Sequence, residues 1–499
     1  ALGAVIWPAT GTDTHYYICI VAGTTGGTEP VWPGAAGTIV DGTATWRELC
    51  DGSGIIAVHT PTRIFSADEA AVKAGRGSIA HRMAIAAFRQ YRSTELSINL
   101  VDDAIAGGGG IKATATLAFA GTADGTGSID LYIGNDLAQY AWADGDTAAE
   151  IATAIDTLLA AKHDLPVTPA RSTDTITLRA KNAGVPGNEI GRYSVANSKW
   201  EPVATITGNG ITCTVTGFSA GATNPDISTA LDASLSGGFA LLAQPYKDST
   251  NLAAVREYMA ESSDVKNCNG VRAWSATTDL LASATTLAAQ NDERLHVVFI
   301  RRCKYTSFEI VAEAAAMHAR IGHPGLPLDT EPLAGCDTPD ESLSWDEVNA
   351  LLWAGVTPFR REFDVVRCVR SITSKTVSPA GNPDPFYLDT TTIANFDYVR
   401  KSIKTYDELN FAQKILRENH VEGEPEFIVT PGDINSAHFM VCKRLERYGA
   451  VQQVDYYADR FVAVRDPDVA GRVNSDIPVE VVQGLHVLAN FIRAVTSTQ

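Results

Sequence analysis

No part of this 499-residue chain reaches about eighteen consecutive apolar residues, the length a membrane-spanning helix needs. The N-terminus also lacks a basic segment followed by an apolar one and a cleavage site, so Sec export is not indicated. The first residue is alanine, which fits either a removed initiator methionine or a missing preceding segment. Basic charge is scarce: 58 acidic residues against 40 basic give a formal charge of −18. Such a chain repels a phosphate backbone wherever local basic patches do not override it, which argues against nucleic acid as a partner.

The residues that carry catalytic or metal chemistry are also not in place. The eight cysteines (Cys19, Cys50, Cys213, Cys268, Cys303, Cys336, Cys368, Cys442) contain no C-x-x-C pair and no paired Cys/His spacing of the zinc kind, so buried free thiols are the plain reading. His318 and His323 lie near Glu313, but Gly322 and Pro324 end the helix before the second histidine can share the first one's face. There is no Gly-x-Ser-x-Gly elbow, and Gly75-Arg76-Gly77-Ser78 lacks the Lys-Ser/Thr of a nucleotide loop and reads as a helix-to-helix turn. Adjacent acids such as Asp102-Asp103 would point to opposite faces of a strand. No cofactor, metal or catalytic residue is read, and an enzyme is the most distant of the classes considered.

What is present is a folding chain. Apolar residues make up 45% and charged residues 20%, a globular balance, and the length suggests about three domains. Residues 1–54 are a Trp/Pro-rich β module with Asp41-Gly42 as a type I′ hairpin signal. Its Trp7, Trp32 and Trp46 are either surface contacts for glycans or a fibre, or the core of a small domain; the core reading is the simpler. Residues 55–106 turn to an α/β pattern: a strand at Ile55–Val58, a helix from Ala67 with Ser66 and Glu69 at capping-box spacing, a second helix from Ile79 to Tyr91, and a strand at Glu95–Leu100. Gly107–Gly110 breaks the pattern, and residues 107–223 read as an inserted α+β domain with one helix, Thr147–Lys162.

Residues 224–340 resume the rhythm. Helices at Ile227–Leu235, Ser249–Ser262, Ala276–Gln290 and Ser307–Ile321 alternate with strands at Phe239–Leu242 and Leu295–Ile300, which predicts a mostly parallel sheet flanked by helices. In residues 341–499, Ser344-x-x-Glu347 opens a helix that ends at Gly355. Next come two short strands, one of them the β-branched run Val365–Ile372, and a proline loop. Asp389 stands at the N-cap position of a helix carrying Ile393, Phe396, Val399 and Ile403. Thr430-Pro431 starts a further helix that runs to Tyr448-Gly449, and Phe461–Arg465 is a strand. At the end, Val479, Val481, Leu485, Val487, Phe491 and Val495 alternate as in a strand, and such a terminal strand can add to a neighbour's sheet edge. Gly471–Ser475 offers a hinge for it. The basic pairs Arg301-Arg302, Arg360-Arg361 and Arg400-Lys401 are either solvated charge or contacts to acidic patches on neighbouring copies.

Several segments resemble the Mu-like family of contractile phage tail sheath proteins. The most specific is Asn382-Pro383-Asp384-Pro385-Phe386-Tyr387-Leu388-Asp389-Thr390. Others are residues 62–70, Gly75-Arg76-Gly77, Thr94-Glu95-Leu96, Asn224-Pro225-Asp226 and Pro245-Tyr246-Lys247-Asp248. The resemblance covers about residues 55–106 and 224–495, and more loosely the 107–223 insertion, which would be the outward-protruding domain. It implies a structural subunit stacked as hexameric rings around a tail tube, in the virion tail, assembled in the host bacterial cytoplasm. Its partners would be itself, the tube, baseplate and tail terminator proteins, with no nucleic acid and no membrane insertion. It also implies that 479–495 is an arm linking subunits, and makes Leu2–Ile6 the candidate for an N-terminal partner strand. A particle that works outside cells permits disulfides, with Cys19–Cys50 a candidate bridge. The alternative from another class is a virion surface decoration protein or glycan-binding adhesin.

Overall fold

The strand Leu295–Phe299 is buried at every position. Leu295, Val297 and Phe299 pack into one hydrophobic cluster, and Val298 and Ile300 into another on the opposite face. A strand apolar on both sides belongs in the middle of a sheet covered by helices on each face, and that is its position in the computed structural model, which describes residues 5–6, 16–32, 38–49, 56–103, 110–335 and 342–486. The sheet order is Leu241–Ala243, Arg272–Thr277, Leu295–Phe299, Thr357–Glu362, Val365–Cys368. The first three pairings are parallel and the last is antiparallel. Helices Ser249–Ser263, Leu281–Ala288 and Trp345–Trp353 contribute Val255, Leu287 and Leu351 to one face; Ser307–Arg320 contributes Ile310, Ala314 and Met317 to the other.

Behind Ser307–Arg320 lies the helix Ile79–Gln90, the two meeting through Ala86, Ala87, Ala312 and Ala316, small side chains that let the axes approach closely. A second sheet is built around the 22-residue strand Lys112–Ile133, paired antiparallel with Asp136–Trp142, Thr175–Ala183 and Val203–Val215. Helix Ala148–Ala160 closes its core with Ile151, Ile155 and Leu159. The chain enters and leaves this sheet side by side, Ile111 bridging Ala222 and Thr114 bridging Ser219. After the main sheet, helices Thr390–Asn410 and Pro431–Tyr448 share a separate cluster containing Val399, Cys442 and Leu445. No described helix is long and apolar enough to cross a membrane.

Five sequence expectations need correction. Residues 56–58 form no strand; the first strand of this region is Thr62–Ile64, paired with Leu96–Ile98. The segment read as helical from Ala276 begins with a strand, Arg272–Thr277, and the helix starts at Leu281. Positions 273–277 are all buried, so the period-2 pattern that would mark a strand is absent. Residues 473–475, expected to be a hinge, belong to the strand Val473–Asp476, paired with Val462–Arg465. Val5–Ile6 pairs with Tyr17 and Ile18 of its own chain, which occupies the part of the proposed N-terminal partner strand that is described. The hairpin at Asp41-Gly42 turns on Gly42-Thr43, with Gly42 alone at positive φ (+65°), the sign pattern of a II′ turn and not of I′.

The turn between Thr357–Glu362 and Val365–Cys368 is of the I′ kind without a glycine: Phe363 and Asp364 have φ of 49° and 65°. Phe363 is 100% exposed, so no burial offsets its left-handed backbone. Phe363→Gly is therefore expected to stabilise the unassembled chain by about 0.5–1 kcal/mol, the steric relief exceeding the added unfolded-state entropy. A lower thermal midpoint for this variant would overturn the argument.

Candidate functional site

The proline loop and the terminal segment, far apart in sequence, meet at one joint. After Cys368 the backbone is laid against the main sheet by side chains. Thr357 Oγ1 accepts from Ile372 N at 3.1 Å and donates to Ile372 O at 3.0 Å. Buried His296 donates Nδ1–H to the same carbonyl at 3.0 Å. Asn291 holds the next residues, its Oδ1 accepting from Thr376 N and Val377 N and its Nδ2 donating to Val377 O. The loop then folds back: Val377 bridges Pro383, Asp384 N donates to Thr376 O, and Thr373 donates to Tyr387 O through its hydroxyl and to Leu388 O through its backbone. Asn382, Pro383 and Pro385 are exposed, while Asp384, Tyr387 and Leu388 are half-buried. Each proline removes a donor, so the return is fixed by these few bonds and not by a ladder.

Asp389 is the N-cap residue of Thr390–Asn410, as its position predicts, but its side chain makes no cap bond. The carboxylate instead takes a two-pronged contact from Arg370, at 2.9 and 3.0 Å, and faces His486 Nε2 at 3.4 Å. His486 Nδ1 lies 2.6 Å from Asp329, which also accepts from Ser371 N. His486 is thus held between two carboxylates of its own chain. Upstream, Glu480–Val481 pairs antiparallel with Val451–Gln452, Asn395 Nδ2 donates to Val482 O, and Thr392 donates to Gln483.

The terminal strand therefore differs from the sequence reading. Val481 is buried in an intrachain pairing, Val479 packs against the Val399–Cys442 cluster, and Leu485 is 74% exposed. Val487, Phe491 and Val495 lie outside the described residues, as do Trp7, Cys50, Cys336 and residues 107–109 of the glycine run. Among the described cysteines, Cys19, Cys213, Cys268, Cys368 and Cys442 are free thiols, and Cys303 is buried in the core, so the bridge expected of Cys19 is not made. Burial pushes the Cys213 thiol up to about 12 and Cys442 to about 11, far from the thiolate form that exchanges disulfides. Trp46 is core, and half-buried Trp32 packs against Tyr17 at 4.4 Å, so neither is a free stacking surface.

The basic pairs are largely spent inside the chain. Arg301 pairs with Glu347, Arg360 lies over the Trp345 ring, Arg361 pairs with Asp364, and Arg400 donates to Ser263 O. No group of three or more potential metal ligands occurs among the described residues. His318 faces Arg272 and not a metal cluster, and His323 stacks on Tyr448. Two features escaped the sequence reading altogether. The Asp329–His486–Asp389 clasp joins residues 157 positions apart, and Arg82 reaches Glu309 across 227. Neither has a local spacing that marks it.

The family profile described as phage tail sheath protein central domain matches residues 220–374. The Mu-like prophage FluMu tail sheath protein of Haemophilus influenzae is 27% identical over 429 residues, 84% of this chain and 86% of that one. Among solved structures, the sheath tail protein of Desulfitobacterium hafniense aligns at a TM-score of 0.44 and 13% identity, covering 86% of this chain and 94% of that one. The sheath tail protein of Listeria innocua aligns at 0.41 and 14%, covering 87% and 93%.

Proposed function

We propose that the chain is the structural subunit of a contractile sheath, since residues 220–374 match the phage tail sheath central domain and 84% of the chain aligns with a Mu-like tail sheath protein. The matched family is a structural one. In this reading the subunits stack as hexameric rings around a tail tube, between baseplate and terminator proteins, in a virion tail assembled in the host cytoplasm. Residues 55–106, 224–340 and 341–499 make the sheath core, 107–223 is a protruding insertion, and 1–54 is an added module. The side-by-side bridges at Ile111–Ala222 support the insertion, since an inserted domain leaves its host chain continuous.

The observation that carries the proposal is the joint. Own-chain pairing, Asn395, Thr392 and the two carboxylates around His486 fasten the terminal segment through residue 486. Only the residues beyond His486 are left to act as the linking arm, so the arm is shorter than the alternating pattern from 479 suggests. Pairing through main-chain bonds lets such an arm hold a neighbour while the two cores rotate as rigid bodies. Exposed Phe363, Trp353 (76%) and Trp345 (59%) are further candidates for contact between copies. The buried Trp46 and the packing of Trp32 weigh against the glycan-binding adhesin.

Electron microscopy tests this directly. The full chain is expected to form striated hollow tubes, whereas a chain ending at His486 keeps its thermal midpoint and forms none. Tubes from the truncated chain would sink the linking-arm assignment.

A further inference from the structure

A cleft of about 370 Å³ opens between helices Ser307–Arg320 and Thr390–Asn410 at the start of the strand Arg272–Thr277, with Arg272, His318, Thr391, Asp397, Tyr398 and Lys401 in its wall. Arg272 Nη1 meets His318 Nε2 at 3.0 Å, and its Nε is sealed from solvent without an acceptor. Burial pushes the guanidinium below its ordinary range, only partly opposed by Asp397, and keeps the His318 ring neutral. The Asp397 carboxylate is already engaged: Arg294 grips it with two bonds, at 2.6 and 2.8 Å, and Arg400 stands 4.0 Å away. Lys401, exposed at the rim, has no ion-pair partner among the described residues.

Arg272, Arg294 and Arg400 therefore face the Asp397 carboxylate, with Lys401 in the same cleft wall and Asp292 and Glu293 also acting on Arg294, on a chain whose formal charge is −18. Thr391 is 3% exposed, and its Oγ1 is buried without a partner in the same wall. It belongs to the first turn of a 21-residue helix, whose positive dipole end favours negative charge although Thr390 N and Thr392 N already donate to Ser371 O and Asp389 O. A largely buried guanidinium that shares a cleft with an unpartnered hydroxyl at a helix N-terminus, with the nearby acid taken, is short of an anion.

We propose that this cleft binds a small oxyanion, phosphate or a carboxylate, with Arg272 and Lys401 as its charged contacts and Thr391 as a hydroxyl donor. The carboxylate could come from an acidic side chain of a second copy, while phosphate would come from solution. The proposal does not depend on the sheath reading, because binding is measured on the unassembled full chain.

Inorganic phosphate is titrated against chloride at matched ionic strength, followed by thermal midpoint and calorimetry. The wild-type chain is expected to show a saturable rise in midpoint. Arg272→Met should weaken phosphate at least about tenfold, the loss of one charge-assisted contact. That variant is expected to fold, since an apolar side chain replaces a buried charge that has no carboxylate partner. Lys401→Gln and Thr391→Val, expected to weaken binding by smaller factors, carry the test if Arg272→Met does not fold. Phosphate that slows self-association of the wild type but not of Arg272→Met identifies a second copy's carboxylate as the natural occupant. Phosphate that binds without touching self-association identifies a free anion. No saturable binding to the wild type, or undiminished binding by the folded variants, overturns the proposal.

Discussion

Acidifying the unassembled chain from pH 7 to pH 5 is expected to lower its unfolding free energy by roughly 2–4 kcal/mol, because buried neutral histidines outweigh the raised carboxyls that oppose them, Glu313 foremost. His81 is buried, accepts from Gly77 N at 2.9 Å through Nδ1, and is held down to about 4 by burial, with Asp164 opposing. His296 is fully buried and held down to about 3 by burial, its bond to Ile372 O opposing. A histidine whose folded value lies below its unfolded one contributes stability that is present above about pH 6.5 and lost as pH falls. At pH 5 each of these two costs about 2 kcal/mol, and His318, pushed the same way by burial and by Arg272, adds to the loss.

Glu313 works in the other direction. Its side chain is 1% exposed, and burial raises it to about 7, only partly countered by Arg89. A carboxyl raised in the folded state costs stability as pH rises between about 4.5 and 7, so acidification to pH 5 returns about 2 kcal/mol. The unfolding free energy extrapolated from a urea titration at each pH is the readout. Glu313→Gln should steepen the acid loss by about the amount that Glu313 supplies, and His296→Asn should flatten it by about 2 kcal/mol. A wild-type chain equally stable at pH 5 and pH 7 would show that these rings protonate without opening the core.

The groups behind this behaviour mark where sequence reading stops. The strand Leu295–Phe299 was legible because every side chain in it is apolar or β-branched except His296. The helix starts at Ser344 and Thr430 were legible because their signals are local, capping-box spacing to Glu347 in the first and a proline after the cap in the second, and both caps form. Arg272–Thr277 was not, because alanine, serine and threonine carry little periodic signal when both faces are covered. Asp389 shows the limit most clearly. Its spacing predicts a cap and the backbone agrees, but its charge goes to Arg370 and His486, which only the folded chain brings near. Local pattern reports how an element sits on its own core; the partner of a charge is chosen by topology. The same limit hid the cleft at Arg272, whose cations meet only once residues 272, 294 and 400 converge on Asp397.

Arg82 is the strongest instance, and replacing it is expected to cost about 3–5 kcal/mol, the scale of a buried ion pair that loses one partner. It sits on the helix Ile79–Gln90 with its side chain 9% exposed. Its Nε donates to Glu309 at 2.9 Å, its Nη2 stands 2.6 Å from the same carboxylate and 3.0 Å from Asp136, and its Nη1 donates to Asp164 O at 3.4 Å. Burial holds the Asp136 carboxyl above its usual range despite the guanidinium beside it. One side chain thus ties the helix Ile79–Gln90 to Ser307–Arg320 and to the sheet built on Lys112–Ile133. Beside it, Gly77 lies so close to Leu165 that a Cβ would meet its carbonyl at 2.1 Å, and Lys181 donates to Arg76 O and His163 O. Arg82→Met keeps the bulk but leaves two carboxylates without their cation. Arg82→Met combined with Glu309→Gln and Asp136→Asn should recover about 1–3 kcal/mol, since it removes the stranded charges. Limited proteolysis adds a second readout: the single variant should release the 110–222 region as a resistant fragment before the core is cut. Loss of less than about 1 kcal/mol in the single variant, the range of an exposed pair, would mean the three segments are held by packing and not by this charge.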